Sequence, residues 1–167
     1  VWETQIRAPM AALLEAAAGG SGRRVKLCRP HRDTRFSADK RPYKTNFWGV
    51  VMPEAGSEAG LYAELSTGGL FAGTGYYQMA ADQLRRFRAA VADEAKGSEL
   101  ERLVAATEAQ GVRVGGEAVA TAPRGFSKDH PRIALLRRKE LVAGATLPPG
   151  AELESAAALA FCRRSWD

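Results

Sequence analysis

Between Asn46 and Gly73 the chain passes through three short strand-like runs, 46–52, 61–65 and 70–73, broken by glycine, proline and serine. The breaks fall short of the roughly dozen residues that a parallel crossover needs, so each strand must turn back on the one before it. An antiparallel meander is therefore expected at the centre of the fold. Ile6, Met10, Leu13, Leu14 and Ala17 recur at helical spacing, which predicts a helix over 3–18 that Pro9 kinks or restarts and Gly19-Gly20 stops. Val25 and Leu27 alternate with Arg24 and Lys26 as in a short strand. Leu84, Phe87, Val91 and Ala95 mark a helix over 81–96, and Ser98 followed by Glu101 reads as a capping box opening another that Gly111 closes. Short strands are expected at 112–114, 117–121 and 141–146. Asp129-His130-Pro131 has the cap and early proline that start a helix, here through Arg138, and a last helix is expected over 151–164 after Pro148-Pro149-Gly150. With no internal repeat and no linker, the expectation is a single α+β domain over 1–167, an antiparallel meander sheet packed by several helices.

At 167 residues, 46% apolar and 26% charged, the chain suits one hydrophobic core and has neither a disordered nor a collagen-like composition. No apolar run approaches the ~18 residues of a membrane span, and Val1-Trp2-Glu3-Thr4-Gln5 lacks the basic start of a secretory signal, so a cytoplasmic protein is expected. Cys28 and Cys162 are the two cysteines, and with two histidines they suggest neither a disulfide framework nor a metal site; no cofactor is expected.

The charge is unevenly placed. Residues 23–44 carry nine Lys or Arg against Asp33 and Asp39, 9 − 2 = +7, within a chain whose net charge is +5, which leaves −2 for the remainder. Two prolines and this charge density predict an ordered loop over 29–45. Such a concentration fits either an anion-binding surface or an internal ion-pair network.

Within it runs Arg29-Pro-His-Arg32-Asp33-Thr-Arg35-Phe36-Ser-Ala-Asp39-Lys40-Arg-Pro42-Tyr43-Lys44. This stretch resembles the signature R-x-x-R-D-x-R-F-x-x-x-K-x-P-Y-K of an uncharacterised family, domain of unknown function (DUF) 2461, at every specified position. Gly73-Thr-Gly75-Tyr76 and Pro123-Arg-Gly125-Phe126-Ser-Lys-Asp129-His130-Pro131 are similar to later parts of the same family. The resemblance implies a chain trimmed at both ends, with apolar surface left near Trp2 or Trp166. It implies no activity.

Arginine offers a planar fork of donors and lysine a mobile point charge, so Arg32, Arg35, Lys40 and Lys44 are the candidate ligands of an anion. Asp33 would orient an arginine, and Tyr43, stiffened by Pro42, would donate to the same ligand. The competing reading has Asp33, Asp39 and Glu64 neutralise these cations to fix the loop. His130, at an expected helix start, is the best general-base candidate, although a histidine there is more often structural. His31-Arg32-Asp33 does not carry a kinase loop, since Ala38 stands where a metal-binding Asn belongs. Gly73-Thr-Gly75 lacks the third glycine of a dinucleotide-binding turn and is read as a place where the backbone needs glycine. The expected partner is a phosphate-like or carboxylate small molecule, the second reading is a nucleic acid with Phe36, Tyr43 or Trp48 stacked on bases, and the third is a structural or interaction protein. No reaction class follows from these residues.

Overall fold

In a computed structural model, which describes residues 2–19, 23–52 and 59–166, the meander is present. Gly20 and most of the break between the first two of its strands, 53–58, lie outside the described residues. A six-stranded antiparallel sheet has the order β1-β2-β3-β4-β6-β5, with β1 at Val25–Leu27, β2 at Asn46–Val51, β3 at Gly60–Ser66, β4 at Gly69–Tyr76, β5 at Arg113–Gly115 and β6 at Leu141–Leu147. The helices are α1 (Ala8–Ala18), α2 (Ala81–Ala92), α3 (Glu94–Ala109), α4 (Ile133–Leu136) and α5 (Ala156–Trp166). The fold is α+β, and no helix among the described residues is long and apolar enough to cross a membrane. The chain groups into two compact units, Val1–Thr74 with Gly144–Asp167, and Gly75–Ala143.

The first unit is organised by the period-two pattern of β2. Phe47, Gly49 and Val51 are buried while Trp48 and Val50 between them are half-buried, so alternate residues line opposite faces of the sheet. Register carries the pattern into β3, where Gly49 faces the buried Ala63 while Trp48 faces Glu64 and Val50 faces Tyr62. Leu70 and Ala72 of β4 complete the inner face, against which Met10 and Leu14 of α1 and Ala158 and Cys162 of α5 form one core. A π-helical turn over Glu3–Arg7 runs without a break into α1, and Pro9, which has no N–H to give, falls just after the change from the wider turn to the α-helix. Trp2 packs edge-on against Phe47 with ring centroids 4.7 Å apart, and Trp166 Nε1 donates to the Tyr62 carbonyl at 3.2 Å. Burial pushes the Cys162 thiol up to about 12, so it is a packing group rather than a nucleophile.

The second unit has its own small core of Val91, Leu135 and Leu136, with Phe87, Leu100, Phe126 and Ile133 packed on it. Four expectations are corrected here. The helix over 81–96 ends at Ala92, because Asp93 takes an extended conformation (φ −64°, ψ 132°) and caps α3 by accepting from the Lys96 N–H at 3.0 Å. Ser98 therefore lies inside α3, donating to Glu94 at 3.1 Å, instead of opening it. The helix expected from Asp129 to Arg138 shrinks to Ile133–Leu136, since Ser127–His130 and His130–Ile133 are single turns closed by their own backbone bonds. In place of a strand at 117–121 there is an isolated bridge between Ala118 and Arg138. Gly75, at φ 140°, answers to the reading of Gly73-Thr-Gly75 as a backbone requirement: a side chain there would run into the Leu141 carbonyl and come within 2.8 Å of Val142 Cα.

Candidate anion-binding site

The basic loop is ordered by its own neck. His31 and Tyr43 form an isolated antiparallel bridge, flanked by Arg32 N–H donating to Pro42 and Lys44 N–H donating to Pro30, each at 2.9 Å. The His31 and Tyr43 rings lie 5.2 Å apart across this bridge. Two prolines thus supply the carbonyls that close the loop while having no N–H of their own to satisfy.

Above the neck, two aspartates organise the cations. Asp33 Oδ1 accepts from the Arg35 backbone N–H at 3.2 Å and from Arg35 Nε at 2.9 Å, while Oδ2 accepts from Nη2 at 2.6 Å. Asp39 repeats the device two residues from Arg41, with the backbone N–H at 3.0 Å and Nη2 at 2.7 Å, and it also accepts from Arg32. One carboxylate therefore bridges two guanidinium groups. Lys40 Nζ donates to the Thr34 carbonyl at 2.9 Å across the loop tip. Lys44 lies apart from these, its Nζ 5.9 Å from the centroid of the Trp48 ring.

The expected ligands are thus placed in one loop but on separate partners: Arg32 on Asp39, Arg35 on Asp33, Lys40 on a carbonyl and Lys44 over an indole. Asp33 orients Arg35, as the sequence suggested. Arg41, which the sequence reading left out of the site, is bound to Asp39 as firmly as Arg32 is; an Asp two residues before an Arg was the signal available. Glu64, considered as a third neutralising acid, accepts instead from the Tyr62 hydroxyl. The outer part of the loop is open to water, with the Arg35 side chain 77% and Phe36 96% exposed. Tyr43 is also exposed.

The guanidinium groups hold both carboxyls below the ordinary range, Asp33 through its bond from the Arg35 side chain and Asp39 chiefly through that from Arg41. A carboxyl whose value is lowered on folding contributes order above its unfolded value and loses that contribution as pH falls through the lower folded value. The loop should therefore stay ordered through mildly acidic pH and loosen only below the ordinary carboxylate range. The amide resonances of Arg35 and Arg41, followed by NMR, should report that acid-limb change; a transition near neutral pH would contradict it.

His130 belongs to the second unit. Its Nδ1 accepts from the Arg132 N–H at 3.0 Å, which leaves Nε2 to carry the proton of the neutral ring. This bond orders a turn whose product is Arg132, a residue with no place in the sequence reading. The Arg132 side chain is 5% exposed; Nε donates to the Val91 carbonyl at 2.8 Å, and Nη2 to Glu94 at 2.7 Å. Pro123–Arg132 thereby holds the junction of α2 and α3. Among the described residues, no group of three or more His, Cys, Asp or Glu is placed to hold a metal ion.

No curated protein and no solved structure matches the chain. Residues 2–167 match the model of a family described as a conserved hypothetical protein. The chain belongs to that family, DUF2461.

Proposed function

We propose that the protein binds a phosphorylated or carboxylated small molecule through the loop over 29–45, with Arg32, Arg35, Lys40, Tyr43 and Lys44 as the groups that meet it. One observation carries the reading: the segment's two carboxylates orient three arginines, yet nine cations against two acids leave the +7 charge of residues 23–44 in place. Asp33 and Asp39 act as braces. Each holds a guanidinium fork by its Nε side, and a fork held in this way loses less freedom when its remaining donors close on an oxyanion. His130 stays in the candidate set only as a second-unit residue with a structural bond to Arg132.

The internal network is the competing reading, favoured by the same short contacts. Ion pairs as exposed as Arg35–Asp33 and Arg41–Asp39 contribute little to stability, which weakens the case that stability is their purpose. Arg35→Ala separates the two. Under anion binding, affinity for inorganic phosphate or a dicarboxylate should fall about tenfold or more, while the melting temperature stays within about 2 °C. A drop of several degrees with no anion affinity in the wild type would mean that the loop is structural.

A further inference from the structure

Trp48, Tyr62 and Phe71 sit on three successive strands at positions that alternate with the inner Phe47, Ala63, Leu70 and Ala72, with Trp48 also packed in part against the core. Their rings adjoin in a row, Trp48 to Tyr62 and Tyr62 to Phe71, with centroids 6.1 Å apart in each case. All three are half-buried. The row carries two charged groups: Glu64, directly across the β2–β3 pair from Trp48 and bonded by the Tyr62 hydroxyl, and Lys44, whose ammonium stands over the Trp48 ring. Lys44 is also the residue that closes the neck of the basic loop.

From this juxtaposition we infer that the anion recognised by the loop is the phosphate end of a nucleotide, whose base stacks on the Trp48–Tyr62 platform. The inference rests on the anion-binding reading of the loop and adds the class of the ligand. Aromatic rings on adjacent strands are a general platform for nucleobases, because every base has a π-face to offer. The Lys44 ammonium over the indole holds the position a base would take, and its mobile stem lets it yield that position and follow the phosphates. Glu64 sets a preference. An ionised carboxylate only accepts hydrogen bonds, so it favours the base edge richest in adjacent donors; guanine presents an N1–H and an N2 amino group together, where uracil presents one N–H between two carbonyls.

The test compares GTP, UTP and inorganic tripolyphosphate by isothermal titration calorimetry, with tryptophan fluorescence as a second readout, the Trp48 part of which is the part that Trp48→Leu removes. GTP should bind about tenfold or more tighter than tripolyphosphate, which shares the phosphates but has no base, and tighter than UTP. Trp48→Leu should lose that advantage while leaving tripolyphosphate affinity unchanged, a control that also shows the loop to be intact. Glu64→Gln, whose amide still accepts from Tyr62, should bring GTP and UTP together. Equal affinity for GTP and tripolyphosphate would overturn the nucleotide inference and leave the anion site standing; no binding of any of the three would remove both. Binding of a twelve-residue oligonucleotide with none of GTP would also overturn it, in favour of a nucleic acid spread along the strand face.

Discussion

Arg132→Ala should lower the melting temperature by about 8 °C, the largest loss expected of any single side chain outside the two apolar cores. The guanidinium is 5% exposed and does three things at once: it satisfies the Val91 carbonyl, which the break between α2 and α3 leaves without a helical partner, and it reaches Ser98 and Glu94. Truncation strands a carbonyl in a region closed to water and opens a cavity beside Val91 and Gly97. The ion pair itself is the lesser part. Glu94 is 84% exposed, so Glu94→Gln, which retains an acceptor, should shift the melting temperature by no more than about 2 °C. Differential scanning calorimetry on the two variants separates these contributions, and equal losses would place the energy in the charge pair instead of the buried carbonyl.

Gly97→Ala should destabilise the protein by about 2 kcal/mol, against the usual direction of such a change. In most helices alanine in place of glycine gains up to about 1 kcal/mol, because glycine is the more disordered residue when unfolded. Gly97 is an exception on steric grounds: a Cβ there would run into the Val91 carbonyl and Arg132 Nε, and would stand 2.8 Å from Arg132 Cδ. The helix can admit the arginine only where it has no side chain. It follows that the two sites are coupled. In an Arg132→Ala background the alanine at 97 should cost less, since the flexible part of the obstruction is gone, and a double-mutant cycle by urea denaturation measures the difference. Additive losses would show that the Val91 carbonyl alone is the obstacle.

The contrast between the two units explains what could be read from sequence. In the first, the core face is written in residues one strand apart: Phe47 and Val51 point in, Trp48 and Val50 point out, and the turns are too short for any other pairing. The Asp33–Arg35 brace was legible because it spans two residues. Asp39 serving two arginines at once was not, since Arg32 reaches it from seven residues away around a turn that no local pattern defines. In the second unit, Asp93 and Ser98 are both acceptable helix caps, and local propensity cannot choose between them. Arg132 decides the matter by taking the Val91 carbonyl from 41 residues along the chain. An isolated glycine at 97 within a helical stretch was the sequence's one mark of that close approach.

The bonds that tie the neck of the basic loop have a consequence for how such a loop diversifies. Arg32 to Pro42 and Lys44 to Pro30 are backbone contacts, indifferent to the side chains carried between them. The stretch from Asp33 to Arg41 is thus fastened to β2 by its base while its tip contributes nothing to either core. Chemistry at the tip can be rewritten, in nature or by design, much as a fitting is exchanged on a fixed mount, without any renegotiation of the fold beneath it.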